Sequence, residues 1–233
     1  MPVVLRLLVQ VAAAIAWLLL AGPTAYFALL ALIVAAVVWM ANLYNFMDGS
    51  DGLAGTMALT GFGAYAVAAW WAGSERALLL LALAAAVVPF LLANWPPARV
   101  FLGDVGAVPL GFLAAVFGVE GWIEGWWPPW FPLLVFLPFV ADASATLARR
   151  AIAGKRIWSA HRDHYYQRLV RLGLGHGGTL ALYATLMLGT AASALAALAR
   201  APGAGIYLLG QWLVVLALLF AAVGYRWRRR GDA

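Results

Sequence analysis

Long apolar runs that follow one another along the chain are the feature that most limits how this sequence can fold. About 20 apolar residues suffice for a helix to cross the hydrocarbon core of a bilayer. Of all residues, 66% are hydrophobic and only 10% are charged, whereas a soluble domain has about 25% charged residues. The sequence therefore predicts an all-α, polytopic helical membrane protein with about eight transmembrane helices. The predicted segments are roughly 3–21, 25–42, 53–72, 76–93, 107–119, 130–148, 178–199 and 205–225.

Composition excludes several other classes of protein. The sequence contains no cysteine, which excludes a disulfide scaffold, a cysteine-based zinc site, an iron–sulfur cluster and a thiol nucleophile. Apolar residues are too abundant for a disordered chain. The net charge of +6 would suggest nucleic-acid binding in a soluble protein, but in a membrane protein it reports orientation. We therefore expect no nucleic-acid partner.

The basic residues predict how the helices are oriented. With the N-terminus in the cytosol, the inner loops and the C-terminal tail contain 12 of the 15 Lys and Arg residues. This is a strong positive-inside bias. It predicts that both termini are cytosolic, and that cytosolic loops lie near 42–52, 94–106 and 149–177.

The first of three polar clusters follows the second predicted helix and contains Asn42, Asn45, Asp48 and Asp51. Helix capping explains one Asp but not four polar side chains together, and acids at membrane depth usually mark a function. If the helix continues to Asp48, Asn45 and Asp48 share a face. Oxygen ligands grouped in this way suit Mg²⁺ or a polar substrate, whereas the spacing does not match an EF-hand loop.

The second polar cluster surrounds Asp104, which has glycines at 103 and 106. Glycine lets the backbone approach a ligand closely, and the exposed N–H groups at the start of the next helix favour anions such as phosphate. An N-cap role for Asp104 is an equal alternative.

The third cluster is the basic stretch from 149 to 176. Most of its arginines fit a positive-inside loop that contacts lipid phosphates. The spacing of His161 and His164 predicts that both lie on one helix face beside Arg162, able to hold a diphosphate. Zinc is a weaker alternative, because two His and one Asp are too few ligands.

All three clusters fall on the predicted cytosolic side. Together they favour Mg²⁺-assisted chemistry on a phosphate ester, in which one reactant is a lipid and the other is soluble. A secondary transporter or channel is the alternative from another class. Transporter sites lie near the bilayer midplane rather than at one face, which makes the enzyme the preferred hypothesis.

The motifs at 42–55, 97–106 and 161–167 resemble, in the same order, those of one family. They are similar to the polyprenyl-phosphate N-acetylhexosamine-1-phosphate transferases, a glycosyltransferase family that includes the phospho-MurNAc-pentapeptide translocases. The His-Arg-x-His-x-Tyr-Gln form is closer to the O-antigen-initiating branch than to the peptidoglycan branch.

The resemblance implies a single transmembrane transferase domain, 1–233, in the bacterial inner (plasma) membrane with its active face in the cytosol. In the implied reaction, undecaprenyl phosphate attacks the β-phosphorus of a UDP-N-acetyl sugar and releases UMP. The pathway would be the initiation of a cell-envelope polysaccharide such as lipopolysaccharide. The implied partners are the UDP-N-acetyl sugar, undecaprenyl phosphate and the lipid bilayer. The sugar and the oligomeric state, including a homodimer, stay open.

The resemblance also implies roles for individual residues. Asp48 and Asp104 are the implied catalytic residues, and Asp104 and Asn45 the implied ligands of Mg²⁺, with Mn²⁺ as the alternative metal. Asp51 and Phe101 would hold uracil together with the 49–50 backbone, and the histidine motif would bind phosphate and sugar. The implied substrate-binding residues are Asn42, Gly49, Ser50, Asp51, Phe101, His161, Arg162 and His164.

The sequence departs from the family in two respects. The family has an adjacent Asp-Asp pair on an earlier cytosolic loop, and no such pair occurs in this sequence. The family also usually has ten or eleven membrane helices, whereas about eight are predicted here. We therefore expect an N-terminally shortened member. An inactive or partner-dependent fragment that binds a nucleotide sugar is the alternative function.

Overall fold

The computed structural model describes residues 3–21, 27–156 and 161–231, and most of these residues are helical. No strand occurs within these ranges, as the all-α prediction requires. Residues 25–26 of the second predicted segment and 157–160 of the third predicted loop lie outside them. The helices in the described ranges are α1 (Val3–Ala21), α2 (Phe27–Met47), α3 (Leu53–Trp71), α4 (Arg76–Asn94), α5 (Gly103–Ile123), α6 (Trp130–Val135), α7 (Leu137–Ile152), α8 (Tyr165–Leu169), α9 (Gly175–Arg200) and α10 (Gly205–Gly231).

Six helical stretches of the described residues are long and apolar enough to cross a membrane. They comprise α2, α3, α4, α5, the stretch from α8 through α9, and α10. In lipid, a helix satisfies its own backbone hydrogen bonds, which is why such sequences adopt it. The polytopic helical membrane fold is thus confirmed. Of the two other predicted segments, the first forms α1, whose apolar stretch is shorter.

The remaining predicted segment, 130–148, forms two helices rather than one. The helix is interrupted at Phe136, which separates α6 from α7. Pro138 follows at the start of α7, where its missing N–H cannot continue the hydrogen-bond ladder of α6. The Phe136 ring packs on α3 at Gly61, where an added Cβ would lie 2.3 Å from the ring.

Two helix boundaries bring predicted loop residues into helices. Helix α2 continues to Met47, so that Asn42 and Asn45 lie on a helix and the predicted loop 42–52 shortens to 48–52. The Asn42 amide donates to the Val38 carbonyl at 2.8 Å, which lets the helix continue through a polar residue. Helix α5 begins at residue 103 rather than 107, and its first turn includes Asp104, where a helix dipole favours an acid.

Helix α3 lies at the centre of the bundle, with α4 and α9 packed against it. Helices α2 and α5 pack closely, since a Cβ at Gly111 would meet the Met40 carbonyl oxygen at 2.5 Å. Aromatic rings fill the space between the helices. The largest fully buried aromatic side chains include Tyr44, Tyr65, Tyr166, Tyr183, Phe62, Phe131, Phe136 and Phe139.

The start of α1 and the end of α10 lie at the same end of the bundle. Arg6 of α1 binds Asp104 at the start of α5, and Arg230 of α10 donates to the Arg171 carbonyl after α8. The placement of the two helix ends agrees with the expectation that both termini share one side of the membrane.

Candidate active site

The three polar clusters of the sequence meet at one end of the bundle, which we call the site end. The Gly103 N–H donates to Asp48 Oδ2 at 2.9 Å, which joins the first cluster to the second. The ring of Phe46 stacks on that of His164, with centroids 6.0 Å apart, which joins the first cluster to the third. Residues more than 100 positions apart in sequence therefore form one polar surface.

Asp48 follows the last residue of α2 and lies half-buried. Burial raises the pKa of this carboxyl group to about 6. The N–H from Gly103 works against the rise, and the nearby charge of Asp104 adds to it. The two carboxyl groups are thus close enough to repel each other, an arrangement that a cation or several hydrogen-bond donors would relieve.

Asp104 is in the first turn of α5 and its side chain is 63% exposed. Its Oδ2 accepts a hydrogen bond from Arg6 Nη1 at 3.0 Å. Leu102, not Asp104, occupies the N-cap position, and no side chain caps the helix there. The capping alternative for Asp104 is therefore wrong, and the carboxylate is oriented toward Arg6 instead.

The turn at 49–51 is held by α9 and by the loop after α4. Ser50 Oγ lies 2.9 Å from His176 Nδ1, and the Asp51 N–H lies 3.4 Å from the same nitrogen. Asp51 Oδ2 accepts from the Ala98 N–H at 3.0 Å. Ser50 and Asp51 are both buried, whereas residue 49 is exposed, so the backbone at Gly49 is the open part of this turn.

The Asn94 side chain links the first cluster to the second through two hydrogen bonds. Its Oδ1 accepts from the Gly52 N–H at 2.8 Å, and its Nδ2 donates to the Val100 carbonyl at 2.6 Å. Next to Val100, the Phe101 ring is 58% exposed. An exposed ring beside a polar turn is suited to stacking on a planar base, and the predicted uracil contact of Phe101 stays a prediction.

His161 and His164 lie together, but for a reason that differs from the prediction. Helix α8 begins at Tyr165, so the two histidines precede the helix and do not share a helix face. Their rings stack instead, with centroids 5.0 Å apart. His164 is almost fully buried, whereas Arg162 between them is exposed. Of these three residues, Arg162 is therefore the one whose side chain is open to solvent.

Tyr166 connects the histidine motif to the 49–51 turn. Its hydroxyl donates to the Phe46 carbonyl at 3.0 Å and lies against Gly49, where a Cβ would come within 2.2 Å of the hydroxyl oxygen. Glycine at 49 is therefore required for this close approach. Tyr166 lies within the motif at 161–167, but nothing in the sequence predicts this contact.

Two arginines of α7 bind Asp163, which lies between the two histidines, and so fix this segment. Arg150 Nη1 forms an ion pair with Asp163, and Arg149 Nη2 donates to the Asp163 carbonyl at 2.7 Å. Burial raises the pKa of Asp163, but the hydrogen bond and charge of Arg150 outweigh it and lower the pKa below its usual value. Because this carboxylate binds arginine, it is a poor third ligand for zinc.

Asn42 is the predicted site residue that the structure places away from the others. Its amide donates to Gln10 Oε1 at 2.7 Å and is buried between α1 and α2. This contact fastens the first helix to the second. The predicted substrate-binding role of Asn42 has no support from this position, which instead suits a structural contact.

The carboxylate oxygens of Asp48 and Asp104 are of the kind that bind a magnesium ion together with a substrate. Within the described residues, no three His, Asp or Glu side chains are grouped to hold a metal. Mg²⁺ needs fewer, since it keeps several waters and is bound by one or two carboxylates plus substrate phosphates. Asp48 and Asp104 carry two carboxyl groups that could bind in this way, and Asn45 lies in the last turn of α2, three residues before Asp48.

The half of the chain that contains Asp48 and Asp104 also matches a known family. Residues 1–121 match the profile of glycosyl transferase family 4. The chain belongs to this family. Asp48, Asp51 and Asp104 lie within the matched residues, whereas the histidine motif and α7–α10 lie beyond them.

Several curated proteins are similar to this chain over part of their length. A putative glycosyltransferase of Streptomyces coelicolor is 39% identical over 64% of this chain and 37% of that protein. The undecaprenyl-phosphate alpha-N-acetylglucosaminyl 1-phosphate transferase of Yersinia pestis is 27% identical over 90% of this chain and 56% of that protein. The phospho-N-acetylmuramoyl-pentapeptide-transferase of Anoxybacillus flavithermus is 44% identical over 60% of this chain and 43% of that protein.

The chain thus spans about half the length of these relatives, or less. Relatives with both kinds of transferase name match it, so the likeness of its histidine motif to the O-antigen-initiating branch stays a prediction. Several residues of the site were not predicted as functional from the sequence: Arg6, Asn94, Asp142, Tyr166 and His176.

Proposed function

We propose that this member of glycosyl transferase family 4 transfers an N-acetylhexosamine 1-phosphate from a UDP-sugar to a polyprenyl phosphate such as undecaprenyl phosphate. The observation that supports it most is the meeting of Asp48, Asp104 and the 161–166 segment at one end of an apolar bundle. A lipid substrate can reach such a surface from the bilayer, and a soluble nucleotide sugar can reach it from the water.

In the proposed donor complex, the 49–51 turn holds the uracil and Arg162 meets the diphosphate. The exposed backbone at Gly49 and the exposed Phe101 ring offer hydrogen bonds and a stacking face. The guanidinium of Arg162 suits phosphate oxygens, because its donors match them in pairs. His161 and His164 flank Arg162 in the sequence, and their stacked rings hold this segment in place.

In the proposed reaction, a phosphate oxygen of the polyprenyl phosphate attacks the β-phosphorus of the UDP-sugar. A P–O bond forms there, the bond to the bridging oxygen breaks, and UMP leaves with that oxygen. Asp48, Asp104 and Asn45 are the proposed ligands of Mg²⁺, which when bound neutralises charge on the phosphate oxygens. Arg6 lies beside Asp104 and places a second positive charge near the reacting phosphates.

The basic residues support a cytosolic location for this surface in the proposed arrangement. Arg149, Arg150, Arg168 and Arg171 lie at the site end, as the positive-inside bias requires for a cytosolic face. The proposed location is the bacterial inner membrane, where nucleotide sugars are available on the cytosolic side.

Membranes that contain this chain test the proposal. They receive undecaprenyl phosphate, Mg²⁺ and a panel of labelled UDP-N-acetyl sugars, and the organic phase is analysed for a labelled lipid. A lipid product that depends on the chain, and that disappears when EDTA removes the metal, supports the transferase. The sugar that reacts best identifies the donor.

A folded, inserted chain that gives no labelled lipid with any donor contradicts the transferase activity of these 233 residues. Binding of UMP or UDP to that same preparation would then favour a nucleotide-sugar-binding fragment that depends on a partner chain. Flux of a substrate across proteoliposomes without a UDP-sugar would instead support a transporter.

A further inference from the structure

Asp142 is a fully buried acid in the middle of α7 that the proposed reaction does not use. Its side chain has no exposure to solvent. A lone acid at such depth is expensive and usually has a function. What surrounds it shows which function that is.

Both oxygens of Asp142 accept hydrogen bonds from two donors each. Oδ1 accepts from the Tyr165 N–H at 2.9 Å and from Thr146 Oγ1 at 3.2 Å. Oδ2 accepts from the Tyr166 N–H at 2.9 Å and from the Tyr183 hydroxyl. Two of these four donors are hydroxyl groups, which can rotate to accept instead. The two backbone N–H groups can only donate.

The two N–H groups belong to the first turn of α8, where the helix itself provides no acceptor. Asp142 therefore supplies the acceptors that fix where α8 begins. The residue just before that start is His164, whose Nδ1 lies 3.5 Å from Asp142 Oδ1. The second residue of α8 is Tyr166, whose hydroxyl reaches the Phe46 carbonyl.

We propose that Asp142 is a positioning residue that holds the His161–His164 motif and Tyr166 in the geometry required for binding the UDP-sugar. This inference rests on the proposed function, since it assigns the motif to the donor. The acid does not touch substrate. It acts through the start of α8: Arg162 lies in the segment just before the helix, and Tyr166 in its first turn lies against Gly49.

Asp142→Asn is the most informative variant because it conserves size, removes the charge and replaces one acceptor oxygen by an NH₂ donor. Whichever way the amide is oriented, its NH₂ group faces one of the two backbone N–H groups, which cannot reverse. The matched controls are Thr146→Val and Tyr183→Phe. Each removes a hydroxyl from the same carboxylate and leaves both N–H contacts intact.

Hydrogen exchange resolved to single residues measures the position of α8 without any activity. In the unmodified protein, the Tyr165 and Tyr166 amides should exchange slowly, because Asp142 accepts from both. Asp142→Asn should accelerate at least one of them by about tenfold or more, since a buried N–H loses its acceptor. Thr146→Val and Tyr183→Phe should leave both rates within about threefold.

Kinetics separate positioning from a merely structural role. In Asp142→Asn, the KM for the UDP-sugar should rise by about tenfold or more, whereas the KM for undecaprenyl phosphate should stay within about twofold. Loss of fold would change both KM values or abolish insertion. Thr146→Val and Tyr183→Phe should leave the ratio of the two KM values unchanged.

Rapid exchange of both amides in the unmodified protein overturns the proposal, and this result needs no variant. So does Asp142→Asn with unchanged exchange, or with faster exchange but an unchanged KM for the UDP-sugar. If the unmodified protein shows no transfer with any donor, the proposed function is contradicted instead. The exchange rates alone then report whether Asp142 fixes α8.

Discussion

The two ends of α5 each present an acid that binds an arginine from another helix, yet only one of them belongs to a candidate site. Asp104 in the first turn binds Arg6 at 3.0 Å, and Glu120 near the last turn binds Arg76 at 3.1 Å. The two ion-pair distances are nearly equal. What surrounds the acids is different, and this difference indicates where chemistry can occur.

Aromatic rings close the opposite end of the bundle, where Glu120 lies. Trp127 is almost fully buried, stacks on Tyr65 with centroids 4.8 Å apart, and donates to the Gly118 carbonyl at 3.0 Å. The indole N–H is therefore satisfied within the protein. Glu120 is 20% exposed and lies near a helix C-terminus, where a negative charge is unfavourable, so Arg76 is needed to offset it.

At the site end, Asp104 is 63% exposed, and it lies near a helix N-terminus that favours its charge. A second carboxyl group, that of Asp48, lies close enough to repel it, and the Arg6 guanidinium offsets part of this repulsion. Asp104 therefore stays open to solvent and to a charged ligand, whereas Glu120 at the opposite end is largely enclosed.

The largest expected effect comes from exchanging the two acids of α5 for amides. Asp104→Asn should reduce transfer about a hundredfold or more, because a charge that acts on the reacting phosphates is lost. Glu120→Gln should leave kcat and KM within about twofold, because Glu120 lies at the opposite end of α5 from the candidate site. It should affect only stability, by about 1 kcal/mol as expected for an ion pair near the surface. Transfer of labelled sugar phosphate to undecaprenyl phosphate measures both. Equal losses in the two variants would show that α5 has only a structural role.

A second pair of variants compares glycines that approach aromatic rings at the two ends. A Cβ at Gly49 would lie 2.2 Å from the Tyr166 hydroxyl oxygen, and one at Gly121 would lie 2.1 Å from the Trp127 ring. Both rings are buried, and such overpacking costs about 1–3 kcal/mol. Gly121→Ala should lower Tm and leave the KM for the UDP-sugar unchanged.

Gly49→Ala should also raise that KM by about tenfold, because the turn and α8 separate at the proposed donor site. Melting curves and initial rates on the same membrane preparation distinguish the two effects. A Gly49→Ala protein that melts early but binds the UDP-sugar normally would remove this turn from the donor site.

The sequence predicted which polar clusters lie at the site end better than it predicted the contacts that hold them together. Apolar runs predict transmembrane helices because the bilayer leaves few alternatives, and the three polar clusters stand out against them. The predicted orientation of the helices already placed Asp48, Gly103 and His164 on one side of the membrane, where the structure brings their segments together. Their catalytic and ligand roles stay predictions.

What the sequence could not predict depends on contacts between distant segments. Ser50 and His176 are 126 positions apart, and neither the turn nor the helix start indicates the other. The break at Phe136 depends on Gly61 of α3, which accommodates the ring. Asp142 was detectable as a lone acid in an apolar segment, but only its four donors assign it to α8.

His176 gives a smaller effect that tests the donor side of the site end. Its Nδ1 lies 2.9 Å from Ser50 Oγ, and the ring is 45% exposed. His176→Ala should raise the KM for the UDP-sugar about threefold to tenfold, as expected for one lost hydrogen bond, and leave kcat nearly unchanged. The control is Ser193→Ala, which lies on α9 like His176. It removes the hydroxyl that accepts from the Trp212 indole N–H of α10. A fall in kcat alone would contradict a role in binding the base.

The smallest expected effect concerns Asp163, a charged residue of the site end whose contacts hold the loop. Because Arg150 lowers the pKa of Asp163 below that of an unfolded chain, the ionised carboxylate stabilises the fold at neutral pH. This stabilisation is full above about pH 4 and is lost as the pH falls through the lowered pKa. The Tm difference between the unmodified protein and Asp163→Asn should therefore be constant from pH 5 to pH 7, by the same argument, and shrink at lower pH. A difference that grows on acidification would mean that Asp163 destabilises the loop, and that the ion pair with Arg150 serves the ligand rather than the fold.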